Sequence, residues 1–233
     1  SHEEAGANTA TDPLAGIDLD EHRPDLAEVE RRRSFTFDAA RVEAIERHRK
    51  VGHRSTRENI SDLVDPGSFI EYGQLALEGY GTGDELEELM RKSPADGFVC
   101  GVGTVNGELF GSQARCAVLS YDYTVYAGTQ GGINHHKHDR VFRLAEQWKL
   151  PGGFFTEGGG GRSRGPSAAR STGHSGMRTT DTFRLLARLS GLVPLVAISA
   201  GRNFAGSAAI LGPCDVVIAP RGSNIGMGGP AVI

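Results

Sequence analysis

Cysteine is scarce in this 233-residue chain. Cys100, Cys116 and Cys214 are far apart in the sequence and odd in number, which excludes a disulfide framework or a zinc ribbon and suits a reducing compartment. A cytoplasmic location is therefore expected. No apolar run approaches the roughly 20 residues that cross a bilayer, so no membrane segment is expected. The N-terminal stretch is acidic and polar, unlike a signal or transit peptide. An excess of basic residues is also missing. Lys and Arg number 25 against 29 Asp and Glu, a net charge of −4, and no nucleic-acid surface follows from that balance.

Glycine is abundant. It makes up 33 of the 233 residues, about twice the usual share of roughly 7%. Seventeen of these glycines follow Leu150, set between strand-like and helix-like segments rather than in a repeat. Glycine in such places marks backbone that comes close to something else.

Residues 1–38 lack apolar periodicity and read as a polar arm or linker, poorly ordered unless docked. Residues 39–233 read as one domain. Asp38 is placed to cap a helix running to Val51, and Ser55-Thr56-Arg57-Glu58 is a capping box before Ile60, Leu63 and Val64. A strand over 69–72 and a short helix over 85–92 follow. Asn106-Gly107 between two apolar runs predicts a hairpin. Helical spacing from Ile133 to Leu150 puts Val141, Leu144, Ala145 and Trp148 on one face. Strand and helix then alternate (strands over 153–156, 193–199 and 215–219, helices over 180–192 and 203–211). That order predicts an α/β fold with crossover connections.

Three glycine-containing segments carry the chemistry. Thr156-Glu157-Gly158-Gly159-Gly160-Gly161-Arg162 follows a strand and offers unshielded N–H groups where open α/β sheets bind ligands, with Arg162 as a nearby cation. No Gly-Lys-Ser/Thr follows, so it is not a nucleotide-hydrolase phosphate loop. Ser199-Ala200-Gly201-Arg202-Asn203-Phe204-Ala205-Gly206-Ser207 leads from a strand into a helix through small residues. Its free N–H groups suit a developing oxyanion. Tyr123 to Lys137 ends in Gly131-Gly132-Ile133-Asn134-His135-His136-Lys137. His135, His136 and His138 point in different directions on a helix, so they read as a polar helix start and no metal site is expected. Gly101-x-Gly103 lacks the third glycine of a dinucleotide fingerprint, and Gly173-His174-Ser175-Gly176 is one residue short of a nucleophile elbow. No carboxylate pair is set up for acid–base work, and Glu157 is the only acidic residue beside the loops.

In order along the chain, these segments resemble the biotin-dependent acyl-CoA carboxyltransferases. Arg57 to Gly73 (RENISDLVDPGSFIEYG) resembles that family's R-x-x-I-x-x-L-x-D-x-GSF-x-E stretch. The segment DYTVYAGTQGGINHHK resembles its FTV-x-GG-S-x-G…KK, TEGGGGR its D-S-G-G-A-R, and SAGRNFAGSAAILGPCD its G-P-C-A-G-G-A…D. The wording is most similar to the carboxyltransferase region of single-chain long-chain acyl-CoA carboxylases.

The resemblance implies a crotonase-like (ClpP/crotonase) α/β spiral of ββα units, the N-terminal one of two carboxyltransferase domains, with its C-terminal end truncated. It also implies carboxyl transfer from carboxybiotin to the α-carbon of an acyl-CoA, through a thioester enolate held by backbone N–H groups. In that reading Ala205, Gly206, Gly159 and Gly160 are the catalytic backbone. Gly128, Thr129, Lys137, Gly158, Gly161, Arg162 and Phe204 lie beside the CoA and cofactor. The implied partners are a biotin carboxyl carrier and biotin carboxylase (on the same or separate chains), the C-terminal carboxyltransferase half, and further copies in a homo-oligomer. None of Met90, Met177 and Met227 precedes a lysine, so the biotin-attachment Met-Lys motif is not in this sequence. The chain departs from the family at Glu157-Gly158 (for Asp-Ser), at Arg202-Asn203 (for Pro-Cys) and at His136 (for the first lysine of the pair). The isolated chain is expected to be inactive alone. Two other readings stand beside this one: a biotin-independent crotonase-like decarboxylase or hydratase, and a non-catalytic acyl-CoA-binding half-subunit.

Overall fold

The computed structural model describes residues 23–79, 82–162 and 180–229. Ser175 and most of the polar arm fall outside that range. So does Ala231-Val232-Ile233 at the C-terminal end.

Among the described residues, seven strands form one mixed sheet: β1 (Ile70–Glu71), β2 (Phe98–Thr104), β3 (Arg115–Tyr121), β4 (Gly152–Gly158), β5 (Leu195–Phe204), β6 (Val216–Ile218) and β7 (Asn224–Gly226). They lie in that order from β1 to β6, and β7 pairs with the far end of β5. The first three are antiparallel. From β3 onward every pairing is parallel. Parallel neighbours need crossover connections. The described helices are α1 (Pro24–Ser34), α2 (Val42–Lys50), α3 (Thr56–Leu63), α4 (Asp84–Lys92), the single turn α5 (Gly107–Phe110), α6 (Gly132–Trp148), α7 (Thr182–Leu189) and α8 (Gly206–Leu211). Thus α6 carries the chain from β3 to β4, α7 leads into β5, and α8 leads to β6.

Helices cover both faces of the sheet. On one side Phe142, Leu185, Leu186, Leu189 and Ile210 pack against Phe98, Leu119, Phe154 and Leu195. On the other, Ile60 of α3 and Val64 just after it meet Val99 and Val118. The alternation of β5 sends Leu195 and Ala197 into the first core. The apolar strand β6 is exposed along its length, with Val216 51% and Ile218 50% accessible.

The capping box forms as the sequence predicts. The Ser55 hydroxyl accepts from the Glu58 N–H at 3.1 Å, and the Glu58 carboxylate accepts from the Ser55 N–H at 2.7 Å. That bond, with Arg49 beside it, holds the Glu58 carboxyl below its ordinary range. Asp38 does not cap α2. It sits in a 3-10 turn, and its carboxylate accepts from the Ser55 hydroxyl at 2.5 Å. Asn106-Gly107 does not close a two-residue hairpin. β2 and β3 do pair antiparallel, but Asn106 adopts the left-handed conformation at the start of α5, and a longer connection joins the strands.

The buried stripe of α6 also differs from the expected one. It runs Asn134, Lys137, His138, Val141, Phe142 and Ala145, with Asp139 buried beside it, while Trp148 is 49% exposed. The i, i+3, i+4 spacing is regular, but its first turns are polar, so apolar periodicity alone misses it. Chemical denaturation should show Ser55→Ala losing about 1 kcal/mol through its cap. Phe142→Ala should lose roughly 3–5 kcal/mol by opening a cavity against Phe154.

Candidate active site

The parallel strands β3, β4 and β5 end on one side of the sheet, and the loops that follow them converge there. This is where open α/β sheets bind ligands. The loops are stitched by backbone. The Gln130 N–H donates to the Gly160 carbonyl at 2.7 Å, and the Arg162 N–H donates to the Gln130 carbonyl at 2.8 Å. Gly128 and Gly158 touch back to back. A Cβ on Gly128 would stand 2.3 Å from the Glu157 carbonyl oxygen, and one on Gly158 2.2 Å from that of Gly128. Any side chain here would push the loops apart.

Gly160 meets the third loop. Its φ is +88°, and a Cβ there would lie 2.6 Å from that of Ala205 and 3.3 Å from the Gly206 nitrogen. Ala205 has φ 49° and ψ −115°, a conformation that suits glycine and costs about 1–3 kcal/mol for a residue with a side chain. Gly206 opens α8 against Gln130, and a Cβ on it would be 1.9 Å from Gln130 Oε1.

The four predicted backbone residues therefore divide. The Gly159 N–H donates to the Ala127 carbonyl at 3.3 Å and the Ala205 N–H to the Gly226 carbonyl at 3.1 Å. The amides of Gly160 and Gly206 have no such acceptor among the described residues, and the two residues meet, with the Gly206 nitrogen 3.3 Å from where a Gly160 Cβ would stand. Of the others, Gly161 and Thr129 edge the loops, and Phe204 is half-buried at the end of β5.

Two predicted cations are placed differently from the expectation. Lys137 is buried, and its ammonium donates to the carbonyls of Ala95 and Phe98. Burial lowers its pKa. It braces a core turn. Arg162 bonds the buried Asp96 carboxylate at 2.6 Å, donates to the Thr129 carbonyl at 3.0 Å, and stacks over the Tyr126 ring at 4.5 Å. Its charge is spent inside the chain. Burial pushes the Asp96 carboxyl up, and Arg162 pulls it partly back.

A family model for the carboxyl transferase domain matches residues 47–233. The chain belongs to the carboxyl transferase family. It is similar to the beta1 subunit of the biotin-dependent 3-methylcrotonyl-coenzyme A carboxylase of Mycobacterium tuberculosis, 30% identical over 92% of this chain and 38% of that subunit. The propionyl-CoA carboxylase beta chain of Saccharopolyspora erythraea is 27% identical over 87% of this chain and 32% of its own length. Among solved structures, a single-chain, multi-domain long-chain acyl-CoA carboxylase superposes with a TM-score of 0.81 at 49% identity, covering 92% of this chain and 21% of that one. Transcarboxylase 12S, solved as a hexamer with hydrolysed methylmalonyl-coenzyme A bound, gives a TM-score of 0.69 at 26% identity over 90% and 38%. The chain thus spans about a third of the curated relatives it matches.

Beneath the loops of this carboxyl transferase domain lies a chain of buried polar groups that sequence reasoning missed. His138 Nδ1 is 2.9 Å from the Asn134 carbonyl, so it carries the proton and donates. Nε2 is then the acceptor, and Tyr121 Oη donates to it at 2.7 Å. The Tyr121 oxygen accepts in turn from Gln130 Nε2 at 2.6 Å. This order pins the Gln130 side chain beside Gly206. Burial lowers the His138 pKa to about 3 and raises that of Tyr121. Gln130 stood inside a quoted motif, but nothing in its neighbours along the chain announced its partners. Asp96 was likewise missed, since it pairs with Arg162 from 66 residues away.

His138 is a base with a folded pKa below its unfolded value of roughly 6.5. Between about pH 6.5 and about 3 the unfolded chain binds the extra proton, so this group's contribution to stability is lost as pH falls through that window. Its imidazole NMR signals should stay neutral at pH 5, and a midpoint near 6.5 would contradict the buried chain. Ala205→Gly should relieve backbone strain and raise the unfolding free energy by about 1 kcal/mol, measured by urea titration.

Proposed function

We propose that this chain is the N-terminal half of the carboxyltransferase of a biotin-dependent acyl-CoA carboxylase, built as a crotonase-like spiral of ββα units. The observation that carries the reading is that Gly160 and Gly206, two residues in contact, both have backbone amides without an acceptor among the described residues. They sit at the ends of parallel strands, in the loops whose residues resemble those of carboxyltransferases. Removing the α-proton of an acyl-CoA puts negative charge on the thioester oxygen. Two fixed N–H donors stabilise that charge, at about 3–4 kcal/mol for each good donor.

The fit is specific to glycine. A side chain at either position would fill the cradle or displace Gln130. Ala205 and Gly159 support the loops through the bonds their amides already make, and Gly128 with Gly158 lets two loops meet. The edge formed by exposed Gly161 and half-buried Thr129 and Phe204 is the side from which the CoA thioester would enter. Among the described residues, the acidic side chains beside the loops are already engaged, Glu157 by His48 and His53, and Asp96 and Glu78 by Arg162. Carboxybiotin, carried by a partner, would supply both the carbon dioxide and the base that takes the α-proton. This chain's own residues bind, orient and stabilise. The proposed partners are the biotin carboxyl carrier, biotin carboxylase and the C-terminal carboxyltransferase half, within an oligomer.

The test is acyl-CoA carboxylation by the chain combined with its C-terminal half and a biotinylated carrier. Gly206→Ala should cut kcat by on the order of 100-fold or more while the circular dichroism spectrum is kept. Unchanged turnover in the folded variant would remove the amide role. Turnover of an acyl-CoA that persists after avidin removes the carrier would favour the biotin-independent reading instead.

A further inference from the structure

On another side of the end of β4, three ligand-type side chains meet. His48 comes from α2, His53 from the turn that follows it, and Glu157 from β4. One donor atom of each lies within 4.8 Å of those of the other two. His48 Nε2 is 3.4 Å from one Glu157 oxygen, and His53 Nδ1 is 3.2 Å from the other. Hydrogen bonds of this type centre near 2.9–3.0 Å. Atoms that share a tetrahedral ion, with bonds of about 2.0–2.1 Å, stand about 3.3 Å apart. The two imidazole centroids are 4.9 Å apart, close enough to converge on one ion.

The surroundings favour ligation. His53 Nδ1 is also 2.9 Å from the Ala200 carbonyl. Nδ1 is the atom that faces Glu157, so on ligation it would give up any proton held there and the ring would keep one on Nε2. The Tyr123 ring stacks on His48 at 5.6 Å and fixes its plane. Gly201 gives the cluster room, because a Cβ there would be 2.2 Å from Glu157 Oε1 and 2.7 Å from His53 Cε1. The Glu157 and His48 side chains are 5% and 7% exposed, while His53 is 28% exposed and opens a route from solvent. A buried carboxylate also needs a compensating charge.

We propose that His48, His53 and Glu157 form a binding site for one divalent transition-metal ion. Two imidazoles and a carboxylate match zinc and its neighbours rather than magnesium or calcium. The ion would tie α2 and its following turn to the strand that runs directly into Gly158-Gly159-Gly160. The site is independent of the carboxyl-transfer reading, since none of its three side chains is given a part in that chemistry.

The 233-residue chain, stripped with chelator and dialysed, would be titrated with zinc by calorimetry and with cobalt by visible absorption. The expected result is one ion per chain and the d–d spectrum of four-coordinate cobalt. His53→Asn, at the partly exposed ligand, should weaken zinc by about tenfold or more, and His136→Ala, on the exposed side of α6, should not change it. Absence of saturable binding to the wild-type chain overturns the site. So does unchanged affinity in folded His53→Asn. Should that variant fail to fold, X-ray absorption of the zinc-loaded wild type decides, and a spectrum without two imidazole ligands overturns the proposal.

Discussion

The site rests on a backbone bridge at Gln130. Its N–H and carbonyl bond Gly160 and Arg162, which joins the loop after β3 to the loop after β4. Its side chain then reaches the start of α8, so one residue sets the spacing of three loops. Neither bond could form if Gly128 or Gly158 carried a side chain, because their backbones are already in contact. The concentration of glycine in this half of the chain is thus a packing requirement as well as a chemical one. Where the rule is broken, at Ala205, the backbone keeps a conformation suited to glycine and the strain is held by the surrounding sheet.

The polar interior beneath those loops explains how the bridge is held in one orientation. Asn134, His138, Tyr121 and Gln130 form a single chain in which each donor has one acceptor. That order exists only while His138 is neutral, and its burial against Phe98 at 3.8 Å keeps it so. The ion pair of Arg162 with Asp96 does similar work at the outer edge. Both groups are desolvated, so breaking the pair would strand a buried charge. Charges that looked available for substrate are used to hold the loops in register.

The histidines show how position decides role. The run His135, His136, His138 attracts attention in the sequence, yet in the fold it disperses. His135 bonds Thr182 of α7, His136 is exposed, and His138 is in the core. His48 and His53, unremarkable in the sequence, are brought to Glu157 across more than a hundred residues.

Several features were legible from the residues alone, because each depends on neighbours in the chain. The Ser55 capping box, the strand–helix alternation after Leu150 and the order of the three glycine segments are local patterns, and the resemblance to carboxyltransferases rested on that order. Other features needed the tertiary structure. Lys137 is a core brace because α6 turns its first, polar residues inward. Asn106-Gly107 gives a longer turn because α5 forms between the strands. Gly160 and Gly206, rather than all four expected residues, present unengaged amides, because β7 and the Ala127 loop take the other two N–H groups. A sequence determines which groups can donate, accept or pack closely. Which of them are left for a ligand depends on partners distant along the chain, and those partners are set only when the sheet closes around them.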